Sequence, residues 1–311
     1  MSMRFYLAPL RGLTDRVYRN AWTQSFSGID WALAPYVQTI GGHQVKQTHL
    51  FECTPANNQL PTIPQIIGKN AQHFVDMALQ LADTGNEQVN WNLGCPYPTM
   101  TQKQCGAGLL PHADRIDRFL DLIFSTLSLK ISIKMRLGLT SSQEIIALIP
   151  ILNRYPLDHI TIHPRVGQQM YGGHLDLDTF SRCQNELKAP LIFNGDLNTV
   201  DHLRDVQMRF PQLYGFMLGR GLLANPFLLE EYQTEKPIPP AQKQERLKAF
   251  HALLLNGYCQ RLSGQTHQLQ RLLAHWEYLG QAVNGDPRVM KKLHKVKSLA
   301  HYQDLVQRIL T

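Results

Sequence analysis

One cysteine lies where a strand would present it for chemistry. Cys95 stands on the turn Asn92-Leu93-Gly94-Cys95-Pro96, directly after an apolar segment. This turn would place a single thiol at the carboxyl end of a strand, which is the catalytic face of an α/β barrel. A lone cysteine in such a place is more often a half-buried small residue, so its role depends on the residues beside it.

Polar residues also end four later strand-like segments. Lys134, His163, Asn194 and the pair Gly219-Arg220 each close one of them. Packing alone does not explain polar groups at successive strand ends. Because the carboxyl ends of parallel strands meet on one face, we expect these groups and the thiol to form one active site.

Three polar side chains, those of Lys134, His163 and Gln65, could contact a flat, electron-rich ring. The amine of Lys134 could stabilise the negative charge of a reduced flavin, and a neutral His163 could donate to a cofactor or substrate. Gln65 lies within an apolar strand, and its buried amide needs partners that the edge of a flavin could supply. The alternatives are a lysine that extends to solvent and a histidine satisfied within the core.

Glycine turns after the last two strand-like segments predict a phosphate site. They are Asn194-Gly195-Asp196 and Gly219-Arg220-Gly221. Barrel enzymes often bind phosphate with these loops; glycines admit backbone N–H groups, and an arginine can pair with the anion bidentately. Two ordinary glycine turns are the alternative. Backbone at Ala8-Pro9-Leu10 could cover one face of a ring.

Strand-like and helix-like segments alternate through the first 230 or so residues. The strand-like runs are Phe5–Pro9, Trp31–Gln38, Thr62–Gly68, Gln88–Asn92, Lys130–Arg136, His159–His163, Pro190–Asn194 and Tyr214–Leu218. Helical spacing of apolar residues marks 70–83, 115–127 and 142–154 between them. This alternation predicts an α/β fold of the (β/α)8 TIM barrel type. A doubly wound sheet would carry a glycine fingerprint after its first strand, which residues 8–12 lack.

A stiff proline segment, residues 236–240, ends the alternation. We expect a catalytic barrel over residues 1–236 and a small helical bundle domain over 241–311. The predicted helices of the bundle are Arg246–Arg261, Gln268–Val283, Val289–Ser298 and Tyr302–Leu310, with breaks at Gly264 and at 284–287.

The positive charge of the chain lies in this C-terminal segment. Residues 1–240 carry 20 Lys+Arg and 20 Asp+Glu, whereas residues 241–311 carry 11 and 4. A neutral domain joined to a basic one indicates a polyanionic partner, although a solvated basic surface is equally compatible. Four residues, here called the tail lysines, are the expected phosphate contacts: Lys291, Lys292, Lys295 and Lys297. The i, i+4 spacing of Lys291 and Lys295 predicts a shared helix face.

Composition argues against several other classes of protein. No apolar run is long enough for a membrane span, and the N-terminal residues lack a signal-peptide pattern. The five cysteines are scattered, and the 13 histidines lack metal-ligand spacing. We therefore expect a cytoplasmic protein that has no disulfide framework and no metal site and does not associate with a membrane.

The motifs together resemble those of the bacterial tRNA-dihydrouridine synthase family, over nearly the whole chain. They are Ala8-Pro9-Leu10-Arg11-Gly12-Leu13-Thr14-Asp15, Gln65, Asn92-Leu93-Gly94-Cys95-Pro96, Gly106-Ala107-Gly108, Lys134-Met135-Arg136-Leu137-Gly138, His163-Pro164-Arg165, Asn194-Gly195-Asp196, Met217-Leu218-Gly219-Arg220-Gly221 and Asn225-Pro226. Any one of them alone would be weak evidence.

The resemblance implies an enzyme that reduces the C5–C6 bond of a uridine in tRNA. It implies tightly but noncovalently bound FMN, NADPH as the reductant, a flavin-binding barrel and a C-terminal helical domain; we also expect a monomer. Cys95 matches the proton donor to C5, Asn92 and Tyr171 match residues beside the substrate base, and Arg165 is expected to face the substrate. The expected cofactor-binding residues are Pro9, Leu10, Arg11, Gln65, Lys134, His163, Asn194, Gly195, Asp196, Gly219 and Arg220.

The chain also departs from the family pattern. Leu10 stands where Met is usual, Asn90 where an acidic residue is common, and residues 34–37 replace the usual Thr-Glu-Met. Pro164 and Val166 replace a small residue and a Thr, and Cys105 is an unexpected second cysteine on the loop of Cys95. Two rival functions remain at this point: a flavin barrel that reduces a small enone or pyrimidine, and an RNA-binding protein that has lost catalysis.

Overall fold

A computed structural model describes residues 3–39, 45–283 and 287–310 of the chain. The chain divides into two compact units. The first comprises Met1–Pro9, Asp30–Gly195 and Gln207–Met217; the second comprises Leu10–Ile29, Asp196–Val206 and Leu218–Thr311. The division expected from the sequence, at residues 236–241, stays a prediction about which part folds as a domain.

The strands of the described residues form one sheet, and their paired neighbours run parallel. They are β1 Arg4–Leu7, β2 Trp31–Leu33, β3 Val37–Gln38, β4 Thr62–Ile63, β5 Gln65–Ile67, β6 Gln88–Leu93, β7 Lys130–Gly138, β8 Ile160–Val166, β9 Leu191–Phe193 and β10 Gly215–Leu218. Their order in the sheet is β3-β5-β6-β7-β8-β9-β10-β1-β2-β4. Each of the eight predicted strand segments overlaps at least one of them.

The order of the strands closes the sheet into a barrel. β2 and β3 belong to one extended segment, and β4 and β5 belong to another that Pro64 interrupts, because proline has no N–H for the ladder. β2 pairs with β4 and β3 pairs with β5, so the two ends of the order are the same pair of segments. Eight segments therefore form a closed parallel barrel, which confirms the predicted fold class.

Helices follow the strands along the chain. The α-helices are α1 Arg16–Ser25, α2 Gln47–Cys53, α3 Ala71–Ala82, α4 Pro98–Thr101, α5 Ala113–Thr126, α6 Gln143–Leu152, α7 Leu177–Glu186, α8 Val200–Arg209, α9 Arg220–Ala224, α10 Leu228–Thr234, α11 Pro240–Arg261, α12 Gln265–Leu279, α13 Pro287–Leu293 and α14 Leu299–Ile309. Short 3-10 turns lie at Pro55–Asn57, Gly106–Leu109 and Gly167–Gln169. The three helices predicted between strands are observed within two residues of their predicted starts.

Alternation along the strands separates the barrel interior from the helix-facing side. On β6, Trp91 stacks on Phe119 of α5, with ring centroids 3.8 Å apart, and Phe74 of α3 meets Phe119 edge-on. Aromatic pairs of this kind contribute about 0.5–1.5 kcal/mol beyond burial. Because neighbouring side chains point to opposite faces, Asn90 and Asn92 must point into the barrel.

The barrel interior is apolar on one side and polar on the other. β1, β2, β4, β9 and β10 contribute an apolar cluster of Tyr6, Ala8, Leu33, Ile63, Ile192 and Met217. β5 to β8 contribute buried polar residues instead: Gln65, Asn90, Asn92, Ser132, Arg136, Thr161 and His163. Buried polar groups need hydrogen-bond partners, so the side chains on the polar side are suited to binding or chemistry as well as to packing.

The second unit is held together by its own buried polar network. The hydroxyl of Tyr258 on α11 donates to Asp15 Oδ1 at 3.0 Å and lies 2.9 Å from His275 Nε2 on α12. Arg261 pairs with Asp15 at 3.1 Å. Burial lowers the pKa of His275 to about 4, so this histidine is neutral at physiological pH. Because the single hydroxyl proton of Tyr258 goes to Asp15, the Nε2–H of His275 donates to the Tyr258 oxygen.

Several bounds of the C-terminal helices differ from expectation. α11 begins at Pro240 rather than Arg246, and α14 begins at Leu299 rather than Tyr302. α12 begins at Gln265, directly after Gly264 at φ +83°, rather than at Gln268. α13 ends at Leu293, so the helix predicted to run to Ser298 is shorter. The break predicted at residues 284–287 lies largely outside the described residues. No helix among those described is long and apolar enough to cross a membrane.

Candidate active site

The loop after β6 clamps Cys95. Asn92 Oδ1 accepts hydrogen bonds from the backbone N–H groups of Gly94, at 3.0 Å, and Cys95, at 2.9 Å. The N–H of Ala107 donates to the Cys95 carbonyl at 3.0 Å. Gly106 has φ +58°, and a Cβ there would lie 2.7 Å from that carbonyl oxygen. Glycine at this position therefore allows the two ends of the loop to meet around the thiol.

The thiol of Cys95 lies in a small, mostly apolar cluster. Cys95 is 6% exposed and packs with Ile67, Met100 and Cys105, and Tyr36 packs against them. The Tyr36 hydroxyl lies 3.7 Å from Cys95 Sγ. Burial, more than any charge, raises the pKa of the Cys105 thiol, so Cys105 stays protonated near neutral pH.

A row of buried amides supports Asn92. Asn92 Nδ2 donates to Gln65 Oε1 at 2.8 Å, and Gln65 Nε2 donates to Asn90 Oδ1 at 2.7 Å. Asn90 Nδ2 in turn donates to Ser132 Oγ at 2.9 Å. The sequence suggested that a flavin edge could supply the partners of Gln65; in the structure two asparagines supply them. Both atoms of the Asn92 amide are hydrogen-bonded: its Nδ2 donates to Gln65, and its Oδ1 accepts from the Cys95 loop.

Lys134 offers a cation without a protein anion. It is half-buried on β7, and its amine makes no hydrogen bond or ion pair with the described residues. Burial, and then the Arg136 guanidinium, lower the pKa of Lys134 to about 7, while Cys95 acts in the opposite direction. An amine in this state gains most from an electron-rich or anionic group beside it, so it fits the ring of a flavin.

Arg136 connects two loops of the site. Its Nε donates to the Gly94 carbonyl at 3.1 Å and its Nη1 to the Val166 carbonyl at 2.9 Å. Its guanidinium also lies 5.6 Å from the centroid of the Tyr171 ring. Sequence reasoning did not give Arg136 a role. The available signal was its position two residues after Lys134, which puts both side chains on the same face of β7.

Arg165 sets the protonation of His163. Its Nη1 lies 3.1 Å from His163 Nε2, and its Nη2 donates to the Gly173 carbonyl at 2.8 Å. A guanidinium has only donors, so His163 Nε2 is the acceptor and the ring proton is assigned to Nδ1. Because Arg165 is 3% exposed, it orients His163 and the loop of Tyr171. The Tyr171 ring itself is 39% exposed.

The turns predicted to hold a phosphate have defined partners in each unit. In the first unit, Asn194 Nδ2 donates to the Met217 carbonyl at 2.7 Å, which joins the ends of β9 and β10. A Cβ on Gly195 would lie 3.0 Å from Leu175 and 3.2 Å from His163. In the second unit, Gly219 precedes α9, and Arg220 pairs with Asp196 at 3.3 Å. Arg220 therefore already has an anionic partner that fixes its direction.

The residues after β1 are held by short-range contacts. Pro9 is half-buried in the first unit. In the second unit, the Leu10 N–H donates to Thr14 Oγ1 at 2.8 Å, and Arg271 donates to the Gly12 carbonyl at 2.6 Å. Arg11 is exposed. The roles of Pro9, Leu10 and Arg11 toward a cofactor stay predictions.

The tail lysines are all exposed, but they do not lie on one helix. α13 ends at Leu293, so the expectation that Lys291 and Lys295 share a helix face is wrong. The N–H of Lys295 bonds the Lys292 carbonyl at 2.9 Å in a turn. The helix ends because Leu293 and Val296 are both buried and Ser298 caps the next helix; residues 294–297 turn the chain between them.

Within the described part of the chain, no group of three or more His, Cys, Asp or Glu side chains could hold a metal ion. The fold brings together a thiol after β6, an unpaired amine on β7 and an imidazole on β8. Lys134 and His163 lie within their strands, which continue to Gly138 and Val166, rather than at the strand ends expected from the sequence. This combination on a parallel barrel is typical of a barrel enzyme with acid–base chemistry.

Comparison with known proteins identifies the family. The profile of the dihydrouridine synthase family (Dus) matches residues 6–310, and the chain belongs to that family. It is therefore a flavin-dependent oxidoreductase of tRNA processing.

Individual relatives are distant in sequence. The chain is 25% identical to a tRNA-dihydrouridine synthase B of Pasteurella multocida over 237 residues, 75% of this chain and 70% of that protein. It is 26% identical to a tRNA-dihydrouridine(16) synthase of Ralstonia nicotianae, over 72% and 71%. Among solved structures, an old yellow enzyme homologue from Zymomonas mobilis matches with a TM-score of 0.55 and 11% identity, over 76% of this chain and 90% of that one. The structural likeness supports the fold alone.

Proposed function

We propose that this protein reduces the C5–C6 bond of a uridine in tRNA, with FMN as its bound cofactor and NADPH as the reductant. The observation that carries the proposal is the family match over residues 6–310, joined to a thiol that the chain holds at the barrel's catalytic end. Relatives named as tRNA-dihydrouridine synthases support tRNA as the substrate.

The reaction divides between the cofactor and the chain's own residues. FMN, when bound, would supply the hydride that uracil C6 accepts, since the C5–C6 double bond is conjugated with the C4 carbonyl. Cys95 then gives its proton to C5 as the general acid. The clamp from Asn92 and Ala107 fixes the direction of the thiol, which matters because proton transfer requires contact between the donor and the carbon.

The cations on the polar side of the barrel would hold the cofactor's ring. Lys134 has no protein anion, so we assign it to the electron-rich part of the flavin. We also assign His163, whose Nε2 lies 3.1 Å from Arg165 Nη1, to the flavin. Gln65 retains a second N–H and a second acceptor site beyond its two asparagine partners. The sequence-based assignment of the FMN phosphate to Gly195, Gly219 and Arg220 is retained as a prediction.

The substrate base must leave its stack to reach such a site. Flipping a base costs a few kcal/mol, and contacts to tRNA phosphates by the tail lysines could offset it. Tyr171, with an exposed ring, is the proposed contact for the uracil. Arg165 is assigned to position it rather than to bind the base, since its guanidinium is already engaged. We place the enzyme in the cytoplasm and expect it to act as a monomer.

The test uses the purified protein with FMN, NADPH and an unmodified tRNA transcript. Dihydrouridine is measured by mass spectrometry of the digested tRNA, and the modified position is read from the fragments. Parallel reactions contain free uridine or a small cyclic enone. We expect NADPH consumption that depends on tRNA. Turnover of the enone with no dihydrouridine in any tRNA would contradict the proposal and favour a small-molecule reductase.

A further inference from the structure

A tyrosine hydroxyl contacts the sulfur of Cys95. The OH of Tyr36 lies 3.7 Å from Cys95 Sγ, within hydrogen-bond distance for sulfur, and either group can donate. Among the described residues it is the hydrogen-bond partner of this thiol. The thiol of Cys105, the nearest alternative, is directed to the Lys103 carbonyl instead, at 3.7 Å. Of the two thiols on this loop, the Tyr36 hydroxyl is thus hydrogen-bonded to that of Cys95.

The fold fixes both ends of this contact. Tyr36 lies in the short break between β2 and β3, where the Ala34 N–H bonds the Ile63 carbonyl and Val37 pairs with Ile66. Its half-buried ring packs against the cluster around Cys95. The break allows a residue of this strand to turn its side chain toward the loop of a strand two positions away in the barrel.

Proton donation leaves a charge at this sulfur. When the thiol protonates uracil C5, the S–H bond breaks, a C–H bond forms, and the electron pair stays on sulfur as a thiolate. A donor in contact with the sulfur stabilises that charge, and the thiol is then re-formed with a proton from water. In an apolar cluster a thiolate without such a donor is costly.

We propose that Tyr36 is a positioning residue for this proton transfer. Its hydroxyl orients the Cys95 thiol and donates to the sulfur as negative charge develops there. This inference rests on the proposed function, because it gives Tyr36 a part in the step assigned to Cys95. Tyr36 lies in residues 34–37, the segment that departs from the family pattern.

Other ionisable groups face the same sulfur and must be separated from Tyr36. The Lys134 amine interacts with Cys95 through charge, and Arg136 acts on Lys134. The Cys105 thiol interacts with Cys95 and is itself influenced by Lys69, Lys103 and Arg115. None of these groups is altered when the tyrosine hydroxyl alone is removed.

The experiment compares Tyr36→Phe with the wild type as flavin-loaded proteins. Phenylalanine keeps the ring in the cluster and removes only the hydroxyl. The matched control is Tyr97→Phe, since Tyr97 is two residues from Cys95 and 48% exposed. Each protein is alkylated with iodoacetamide over a range of pH, without tRNA. Trypsin places Cys95 and Cys105 on separate peptides, residues 70–103 and 104–115, so each thiol is followed by itself.

Removal of the hydroxyl should make the Cys95 thiolate harder to form. The pH at which Cys95 labelling reaches half of its limiting rate is expected to rise by about one to two units in Tyr36→Phe. The Cys105 profile in the same digests should stay in place, and Tyr97→Phe should match the wild type. An unchanged Cys95 profile in Tyr36→Phe would overturn the inference.

A second readout follows the proton-transfer step itself. Pre-reduced protein is mixed with tRNA transcript, and flavin reoxidation is recorded. We expect Tyr36→Phe to be slower by about tenfold near pH 7, with reduction by NADPH unchanged. An equal rate in the variant would contradict the role. If the wild type reduced no uridine at all, the proposed function would fail, whereas the labelling profiles would still decide whether Tyr36 stabilises the thiolate.

Discussion

Replacement of Lys134 by methionine should stabilise the flavin-free protein while abolishing its affinity for flavin. The amine is half-buried and has no anionic partner among the described residues, so its charge opposes folding. Its pKa is lowered from 10.5 to about 7. Methionine has a similar length and no charge, so it removes the ammonium that burial and Arg136 disfavour.

The magnitude follows from the shift in pKa. A difference of 3.5 units between 10.5 and 7 corresponds to at most about 5 kcal/mol when the amine is fully protonated in both states. Because the residue as a whole is half-buried, roughly half of that, about 2–3 kcal/mol, is the more realistic gain. Between pH 7 and 10.5 the unfolded chain binds the proton that the folded chain lacks, so wild-type stability rises with pH in this window. The advantage of the variant is full below pH 7 and disappears as pH approaches 10.5.

Urea unfolding of flavin-free wild type and Lys134→Met at a series of pH values measures this difference. Lys130→Met is the control, since Lys130 lies on the same strand and is exposed. Flavin added in excess should reverse the order, stabilising the wild type and leaving Lys134→Met unaffected. A variant that is less stable than the wild type at pH 6, or an advantage that does not shrink with rising pH, would refute the reasoning.

Three other substitutions test the remaining assignments. Cys95→Ala should leave flavin binding and reduction by NADPH intact but slow uridine reduction by about 10²–10⁴-fold, whereas Cys105→Ala should change neither; the tRNA product is measured by mass spectrometry. Arg220→Ala should weaken FMN retention by about 1.5–3 kcal/mol, measured by fluorescence titration, and undiminished affinity would move the phosphate elsewhere. Replacement of the four tail lysines by alanine should weaken tRNA binding and reduce its salt slope by roughly 0.7–0.9 per lost phosphate contact, with an unchanged flavin spectrum; equal affinity would show that these lysines only face water.

The barrel could be predicted from the sequence because its strands are short apolar runs at regular intervals. The pattern did not reveal the interruptions at Pro35-Tyr36 and Pro64, which split two strands. Nor did it give the end of α13. Charge spacing alone suggests a longer helix there, whereas the burial of Leu293 and Val296 and the cap at Ser298 decide where the chain turns. Helix ends depend on such tertiary contacts more than on local propensity.

The position of the site was predictable, but its internal contacts were not. Lys134 and His163 are found on the expected strands, although within them rather than at their ends, and Cys95 lies on the loop after β6 as expected. A sequence cannot show that Gln65 is satisfied by Asn90 and Asn92, because these residues are 25 or more positions apart and meet only through strand pairing. The same holds for Tyr36, which is 59 residues from Cys95.

Two departures from the family pattern, at Asn90 and Tyr36, lie near the thiol proposed as the proton donor. Asn90 replaces an acidic residue, yet its amide is what the row requires, since it accepts from Gln65 and donates to Ser132. A carboxylate could only accept. It would also place a negative charge one step along the barrel from Lys134, where it would raise the pKa of that amine and compete with an electron-rich cofactor for it. A neutral amide row keeps Lys134 available. We therefore infer that the Lys134 ammonium interacts with the cofactor. The negative charge that forms on the Cys95 sulfur is stabilised by a hydrogen bond from the neutral hydroxyl of Tyr36.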